Sequence, residues 1–340
     1  MKIIAFFNNK GGVGKTSLVY HLSWMYSSQR VNVLAADLDP QANLTSMFLD
    51  EDKLETLWPD GEHPDSVLGC LRPIIRGLGD LATPHLESVS ADSLLGSPIS
   101  LLVGDLGLSS FEDKLSASWP LCSDRDESAF RVSSAFYRML LAAGEKAVAD
   151  VILVDVGPNL GAINRAALIA ADYVIIPLAP DLFSMQGLRN LGPTLRRWRI
   201  EWRERSLKNP APDLALPEGN MNPAGYVFMQ HFAVGRRPVK AFDRWTQKIP
   251  REYRVSVLGE SDNADVKVDS DPHCLAQLKH YRSLMPMAME ARKPMFYLKP
   301  ADGAIGAHTY AVQACFDDFQ QLAGRIAAAC GLEAGLYQYK

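Results

Sequence analysis

Residues 10–17 have the most informative combination of residue types and spacing in this chain. They read Lys-Gly-Gly-Val-Gly-Lys-Thr-Ser, a phosphate-binding loop with an additional lysine at its start. The common pattern G-x-x-x-x-G-K-[ST] would place a glycine at position 9, whereas this chain has Asn9 followed by Lys10. The spacing predicts that Lys15 binds the β- and γ-phosphates of a nucleoside triphosphate and that the Thr16 hydroxyl binds Mg²⁺. The expected nucleotide-binding residues are Lys10, Gly11, Gly12, Val13, Gly14, Lys15, Thr16 and Ser17.

The segments on either side of this loop support the prediction. Residues 2–7 form a short apolar run of strand type, and residues 17–22 continue in a helical pattern. The glycines between them have no Cβ, so that backbone N–H groups can approach phosphate oxygens closely. A strand, a glycine loop and a helix in this order form an anion site at the helix N-terminus. The sequence therefore predicts a nucleoside triphosphate site.

Two aspartates follow strand-type runs elsewhere in the chain. Asp39 comes soon after residues 31–36, and Asp155 directly follows residues 151–154. Either aspartate alone would more often be a loop cap. Downstream of a phosphate-binding loop, however, an aspartate at the end of a buried strand is the usual group that orders Mg²⁺ or its waters. The predicted metal-binding residues are Thr16, Asp39 and Asp155.

Strand-type runs alternate with helical patterns along the chain, which indicates βαβ units. We therefore expect an α/β fold with a mainly parallel, twisted sheet and helices on both faces. Right-handed crossovers would place ligands at the carboxyl ends of the strands, where Lys15, Asp39 and Asp155 fall. The expected strands lie near residues 2–7, 32–36, 100–103, 151–154, 173–177, 225–229 and 295–298.

The chain is expected to form a single domain, 1–340, with surface insertions. Its 340 residues are 47% hydrophobic, which is ample material for one large core. Residues 47–98 are interpreted as an acidic, partly helical insertion, and residues 206–285 as an elaborated basic and polar region. Either could dock a partner, although a solvated insertion with no separate function is the more common case for the first.

Composition excludes several classes of protein. No window approaches the ~18 consecutive apolar residues of a membrane span, and the first apolar run is too short for a secretory signal. The five cysteines are scattered and form no C-x-x-C pair, which argues against a disulfide framework or a zinc site. These features indicate a cytoplasmic protein without a membrane partner.

Three stretches resemble one known family. Residues 10–17, 37–45 and 150–188 resemble the ParA/Soj/MinD group of deviant Walker A ATPases, and the chain is most similar to the ParA type. Weaker similarity extends to residues 100–104 and 288–298. The resemblance implies a P-loop NTPase fold of ParA type, binding of ATP and Mg²⁺, and slow hydrolysis of ATP to ADP and phosphate.

The resemblance also implies roles for individual residues. Lys10 resembles the signature lysine that reaches across an ATP-bound homodimer to the other subunit's nucleotide. Gly12 corresponds to the glycine that must stay small for two subunits to close. Asp39 resembles the aspartate that positions the attacking water, and Asp155 resembles the Walker B carboxylate. The implied catalytic residues are Lys10, Lys15 and Asp39.

The chain departs from the family at Gly157, where the first of two prolines is usual. A predicted C-terminal helix over residues 308–330 departs from the membrane-cycling members, because its polar face carries Asp317 and Asp318 and only Arg325. A membrane-targeting helix should be rich in Lys and Arg. We interpret this helix as packing on the sheet.

The segment 189–254 is basic although the whole chain carries a net charge of −4. It contains fourteen Lys and Arg residues against six Asp and Glu. Within it, Trp198 and Trp202 share an apolar helical stripe and are assigned to the core, and Pro193 should start or kink the helix. The basic residues form either an ordinary solvated face or a surface that binds the phosphate backbone of DNA regardless of sequence. The candidate DNA-binding residues are Arg196, Arg197, Arg199, Arg203, Arg236, Arg237 and Lys240.

Three functions follow from this reading. The first is an ATP-dependent dimerising switch that binds nonspecific DNA, associates with the nucleoid, and acts with a ParB-like activating protein in plasmid or chromosome partition. The second keeps the switch but positions or assembles a protein cargo. The third is a nucleotide-locked dimer that serves as a scaffold and hardly hydrolyses ATP.

Overall fold

The computed structural model describes residues 1–90, 96–231, 233–234, 237–238, 244–261, 266–281 and 283–332. Between residues 230 and 238 the description is confined to the backbone. The strands and helices named here lie within these residues.

One eight-stranded sheet runs through the molecule, in the order β10-β7-β6-β1-β5-β2-β4-β3. All neighbours pair in parallel except β3 and β4, which are antiparallel. A further two-stranded antiparallel ladder joins β8 and β9. The strands are Lys2–Phe6 (β1), Val33–Asp37 (β2), Glu87–Val89 (β3), Ile99–Leu102 (β4), Val151–Asp155 (β5), Tyr173–Leu178 (β6), Asn222–His231 (β7), Ala233–Val234 (β8), Arg237–Pro238 (β9) and Cys274–Lys279 (β10).

Helices cover both faces of this sheet. The α-helices are Lys15–Ser28 (α1), Asn43–Phe48 (α2), Glu51–Leu57 (α3), Val67–Arg76 (α4), Glu112–Leu121 (α5), Glu127–Ser133 (α6), Ala135–Lys146 (α7), Ala162–Ile169 (α8), Leu182–Ser206 (α9), Ile249–Glu252 (α10), Leu284–Ala291 (α11) and Ala307–Cys330 (α12). The expected α/β fold with a mainly parallel sheet is therefore confirmed.

The central strands are apolar throughout because helices cover both of their faces. Every residue of β5 is buried. Along β1, Ile3 and Ala5 belong to one hydrophobic cluster, whereas Ile4 and Phe6 belong to another. Successive side chains of a strand point to opposite faces, so the protein has one core layer on each side of the sheet.

The strand prediction was wrong at residues 295–298. There the chain forms a 3₁₀ turn, Met295–Tyr297, which begins after Pro294. The apolar run that resembled a strand instead packs beside α12. The sheet is completed by Cys274–Lys279 and Glu87–Val89, which the sequence analysis did not predict. Both are sheet edges with exposed or half-buried polar residues, so their patterns lack a continuous apolar run.

The two expected insertions contribute to the main fold. Residues 47–98 supply β3 and α4, and Val67, Leu71 and Ile74 of that helix are buried in the core. Residues 206–285 supply β7 and β10, which extend the sheet on the opposite side from β3.

The long helices match their predicted positions. The C-terminal helix α12 packs against β10 and α1. In α9, Pro193 lies within one continuous helix rather than at its start, and Trp198 and Trp202 are buried as expected. Among the described helices, none has both the length and the hydropathy that crossing a bilayer would require.

Candidate active site

The phosphate-binding loop joins β1 to α1. Gly12 and Gly14 adopt the left-handed conformation, with φ of 70° and 88°, which glycine adopts without a steric penalty. Gly14 is also the N-cap of α1 and makes no side-chain cap, so the N-terminus of the helix is open toward the loop. The Val13 side chain is buried. This geometry suits an anion at the helix N-terminus.

The first turn of α1 contains Lys15, Thr16 and Ser17. A buried histidine holds this turn, because His21 Nδ1 lies 2.7 Å from the Ser17 carbonyl oxygen. The other ring nitrogen, Nε2, accepts a hydrogen bond of 3.1 Å from the backbone N–H of Met295. His21 therefore fixes α1 against the turn that follows α11.

Lys15 is buried beneath the loop, with 7% of its surface exposed. Its ammonium lies 3.4 Å from the Lys10 carbonyl oxygen. Burial lowers the pKa of Lys15, and the carboxylates of Asp155 and Asp39 oppose that shift. The structure therefore brings together the lysine and both aspartates that the sequence analysis selected.

Asp155 carries a fully buried carboxylate. It is fully enclosed, and neither of its oxygens satisfies hydrogen-bond geometry with a described residue. Burial and the neighbouring Asp37 raise its pKa, whereas the nearby Thr16 hydroxyl and the Lys15 ammonium lower it. A buried, unpartnered carboxylate is costly unless a cation or a proton satisfies it.

These donors fit a Mg²⁺ ion, which prefers carboxylate, hydroxyl and water oxygens. Thr16, Asp39 and Asp155 supply such oxygens at one edge of the sheet. Within the described part of the chain, no three His, Cys, Asp or Glu side chains form a group that could hold a metal ion by themselves. The residues therefore fit an ion whose remaining ligands are phosphate oxygens and water.

Asp37 is a buried carboxyl group whose role the sequence analysis missed. It ends β2 directly beside Asp155, its register partner on β5. Its carboxylate accepts hydrogen bonds of 2.8 Å from both the backbone N–H and the hydroxyl of Thr45. Burial raises the pKa of Asp37 to about 7 despite these bonds. Its position at a strand end was a usable signal, because it matches that of Asp155.

Asp39 lies at the entrance to the following loop. It is 7% exposed, and its Oδ1 accepts a hydrogen bond of 3.0 Å from the N–H of Gln41. A Cβ at Gly157 would lie only 3.2 Å from this same oxygen. The glycine that departs from the family pattern therefore leaves room for the Asp39 side chain.

Residues 157–161 connect β5 to α8, and hydrogen bonds hold both ends of this loop. The buried Asn164 amide donates to the carbonyl oxygens of Gly157 and Asn159, at 2.8 and 2.6 Å. The carboxylate of Glu112 accepts from the N–H groups of Ala162 and Ile163, at 2.5 and 2.8 Å. Sequence spacing gave no indication of Glu112, because it lies far from the loop along the chain.

The Lys10 side chain lies at the start of α9. Its ammonium forms an ion pair with Asp181, the N-cap of that helix, and lies 5.7 Å from the centre of the Phe183 ring. Leu182 and Phe183 are large apolar residues with 50% and 70% of their surfaces exposed. Space is also open at Gly12, where a Cβ would meet no atom within 4 Å. The mouth of the site thus combines a cation, an open backbone position and exposed apolar side chains.

A small cavity adjoins the loop at Gly14 and Ser17. Its volume is about 130 Å³, and its lining includes Gly14, Ser17, Met229, Tyr281 and Met285. This mostly apolar lining suits a flat ring attached to the phosphates. A larger cavity of about 690 Å³ lies between β10 and α12 and includes none of the site residues.

The candidate DNA-binding arginines differ in their surroundings. Arg196 donates to the carbonyl oxygens of Ser256 and Val257, and Arg199 donates to those of Asn220 and Met221. These two guanidinium groups therefore hold neighbouring segments together.

The remaining candidates fall into two groups. Arg197 and Arg203 are exposed on α9, and the side chain of Arg197 is 63% accessible. Arg236 and Lys240 lie outside the described residues, and only the backbone of Arg237 is described. Within the described residues, Arg197 and Arg203 are the candidates best placed to contact a polyanion.

Sequence comparison identifies related proteins. A family model described as an AAA domain matches residues 1–208. The protein IncC of Escherichia coli is 27% identical over 208 residues, which are 58% of this chain and 47% of IncC. The chromosome partitioning protein ParA of Myxococcus xanthus is 29% identical over 202 residues, 57% of this chain and 58% of that protein. The matches thus span about half the length of these relatives.

Structure comparison finds the same fold in solved structures. Protein DIP2308 of Corynebacterium diphtheriae has a TM-score of 0.71 at 23% identity, over 97% of this chain and 98% of that one. An ATP complex of McdA from Cyanothece has a TM-score of 0.62 at 16% identity, over 98% of this chain and 97% of that one. The pNOB8 ParA bound to nonspecific DNA has a TM-score of 0.58 at 17% identity, over 96% of this chain and 98% of that one.

Proposed function

Because this chain belongs to the ParA-like family of P-loop ATPases, we propose that it is an ATP-dependent dimerising switch. In its ATP state it binds nonspecific DNA, and it acts in the partition of a plasmid or chromosome. The observation that carries the proposal is the grouping, at one edge of the sheet, of buried Lys15 and unpartnered Asp155 with the additional lysine, Lys10.

The nucleotide is ATP, held by residues 10–17. The backbone N–H groups of the loop surround the phosphates, and Lys15 binds the β- and γ-phosphate oxygens. Burial has removed water from the Lys15 ammonium, so its attraction to phosphate is less screened than at the surface. Thr16, Asp39 and Asp155 would hold Mg²⁺, which would neutralise negative charge on the triphosphate.

Hydrolysis depends on Asp39. Its carboxylate accepts a hydrogen bond from a water molecule and orients that water for in-line attack on the γ-phosphate. The Gln41 N–H fixes one carboxylate oxygen, and Gly157 leaves space beside it. By resemblance to the family, turnover is slow and a ParB-like activating protein accelerates it.

Dimer formation depends on the charge at Lys10. In one subunit the Lys10 ammonium pairs with Asp181. In the ATP-bound homodimer the Lys10 ammonium leaves Asp181 and binds the triphosphate of the other subunit. Because this neutralises part of the negative charge, two faces that would otherwise repel each other can close. Leu182 and Phe183 lie at the same mouth, and complete burial of such a side chain is worth about 1.5–3 kcal/mol.

The DNA surface is the exposed basic side of α9. Arg197 and Arg203 lie there, and a closed dimer presents this surface twice, so that two weak contacts act together. The fold similarity to a ParA structure that contains nonspecific DNA supports this choice. The protein in its ATP state would then be associated with the nucleoid.

The direct test is filter binding of random-sequence DNA with ATP, ADP or no nucleotide. Tight binding is expected with ATP alone. Replacement of both Arg197 and Arg203 by Gln should flatten the dependence of log affinity on log salt by about 0.9 for each phosphate that the variant no longer neutralises. Arg76→Gln is the control, because this residue is about half exposed on a different helix.

Two outcomes would contradict the proposal. Equal DNA affinity in all three nucleotide states would refute the switch. ATP-dependent dimers that bind no DNA would instead favour the alternative in which the switch positions a protein cargo.

A further inference from the structure

Helix α5 contacts the start of α8 with its first residue and contacts the basic helix α9 near its end. The carboxylate of Glu112, its first residue, accepts hydrogen bonds from the first two N–H groups of α8. Trp119, two helical turns later, contacts α8 and α9. We propose that α5 transmits the nucleotide state from residues 157–161 to the DNA-binding side of α9. This inference rests on the proposed function.

The first contact lies at the junction between residues 157–161 and α8. The N-cap of α8 is Gly161, which has no side chain that could accept hydrogen bonds from the free N–H groups of the first turn. Glu112 takes that role, and a Cβ at Gly161 would lie 2.6 Å from its Oε1. Carboxylate bonds to helix N-terminal N–H groups are charge-assisted and therefore strong. A shift of this loop, which begins two residues after Asp155, must move Glu112 or break these bonds.

The second contact is a stack of guanidinium groups on an indole ring. The guanidinium carbons of Arg165 and Arg205 lie 4.2 and 4.6 Å from the centre of the Trp119 ring. Burial lowers the pKa of Arg165 to about 10, and the carboxylates of Glu201 and Glu112 oppose that shift. Arg165 belongs to α8 and Arg205 to α9, so the Trp119 ring joins the two helices.

Glu201 links Trp119 to Arg197, one of the candidate DNA-binding residues. The Trp119 indole N–H donates a 3.0 Å hydrogen bond to Glu201 Oε2, and Arg205 Nη1 lies 3.7 Å from that same oxygen. The other oxygen of Glu201 lies 3.9 Å from Nε of Arg197. The position of Trp119 therefore influences how firmly Glu201 retains Arg197, whose charge is needed to bind a phosphate.

Helix α9 offers a competing route, because its N-cap Asp181 lies at the nucleotide site. The helix has 25 residues, so its basic end is about 30 Å from that N-cap at 1.5 Å per residue. If the helix moved as a rigid body, Trp119 would not be needed. A variant at Trp119 separates the two routes.

The test is hydrogen exchange of backbone amides, measured by mass spectrometry with ATP·Mg²⁺ and with ADP. In the parent protein, the exchange rates at residues 157–163 and 201–206 should both differ between the two nucleotides. In Trp119→Leu the difference at 157–163 should remain and the difference at 201–206 should disappear. The ratio of DNA affinities with ATP and with ADP should fall on the order of tenfold, with unchanged ATP affinity.

Two controls distinguish coupling from general destabilisation. Trp58→Leu also removes an indole that donates to a protein oxygen, the Gly104 carbonyl, but lies outside this contact, and it should respond as the parent does. If Trp119→Leu does not fold, Arg165→Lys provides the same measurement, because lysine keeps the charge and loses the flat stacking surface.

The outcomes separate this inference from the proposed function. A folded Trp119→Leu or Arg165→Lys variant that keeps the full response at residues 201–206 would overturn the coupling. A parent protein with no response at 201–206 would also overturn it, even if ATP-dependent DNA binding is observed. A parent protein that binds ATP but no DNA would contradict the proposed function, while the exchange data would still decide whether α5 transmits the nucleotide state.

Discussion

Asp37 and Asp155 show how much of this site depends on single buried carboxyl groups. They end adjacent strands, and burial raises the pKa of both. Asp37 is stabilised by Thr45, whereas Asp155 has no hydrogen-bond partner among the described residues. Aspartates at the ends of two adjacent strands therefore have different roles. Asp37 holds the start of α2 in place, and Asp155 remains available to a cation.

Gly12 and Gly14 are a matched pair of loop glycines with different surroundings. Both have positive φ, so alanine at either position costs roughly 1–2 kcal/mol of backbone strain. A Cβ at Gly12 meets nothing within 4 Å, whereas a Cβ at Gly14 lies 3.0 Å from Met229 Cε. We expect Gly12→Ala to bind ATP within a few-fold of the parent but to form no ATP-dependent dimer.

Isothermal titration with ATP and light scattering with and without ATP would test this expectation. Gly14→Ala is the comparison, and it should lose ATP affinity because Met229 must move. A Gly12→Ala protein that dimerises as the parent does would show that the open space at this position is not a subunit contact.

At the scale of the elements, α1 and α9 position the site from opposite sides. The strand–loop–helix pattern predicted α1 because its residues are contiguous. In α9, Trp198 and Trp202 fill the core, while Arg196 and Arg199 donate to backbone carbonyl oxygens of neighbouring segments. The helix was predicted from its apolar stripe. Which arginines remain exposed depends on the segments packed beside it.

The attachment of α1 at His21 makes stability depend on pH. Burial lowers the pKa of His21 to about 4, below its ordinary value of 6.5. Because Nε2 accepts from Met295 N–H, the folded protein requires the neutral ring. An unfolded chain takes up the proton at higher pH than the folded chain does. The stabilising contribution of His21 is therefore complete above about pH 6.5 and is lost as pH falls toward 4. The total loss in the free energy of unfolding would be about 3 kcal/mol.

Urea unfolding between pH 4 and 7 would measure this contribution. His21→Gln keeps a donor and an acceptor but does not titrate, so the stability difference between parent and variant should change across this range. Other titrating groups, including Asp37, cancel in that difference. Parallel pH profiles for the two proteins would show that His21 is not the titrating group.

At the scale of the whole molecule, one surface carries the charge and the apolar side chains that the proposed dimer would cover. Lys10 is paired with Asp181 of the same chain, and the exposed Leu182 and Phe183 directly follow this aspartate. We expect Lys10→Ala to retain ATP binding, because Lys15 and the loop N–H groups remain, and to lose ATP-dependent dimers in light scattering.

Lys53→Ala is the control for this prediction, because it removes another partly exposed, ion-paired lysine far from the loop along the chain. It should dimerise as the parent does. Dimers of normal affinity in Lys10→Ala would exclude an essential role of this charge in closing the two subunits.

The sequence by itself determined the nucleotide loop and its place between β1 and α1, because these depend on residues that are near one another along the chain. It also predicted the strands that precede Asp39 and Asp155, since buried parallel strands require continuous apolar runs. The tertiary structure alone decided which distant groups meet. It paired Asp37 with Asp155, placed Lys10 beside Asp181, and replaced the expected strand at 295–298 with β10. These outcomes depend on strand order and helix packing, which no local pattern encodes.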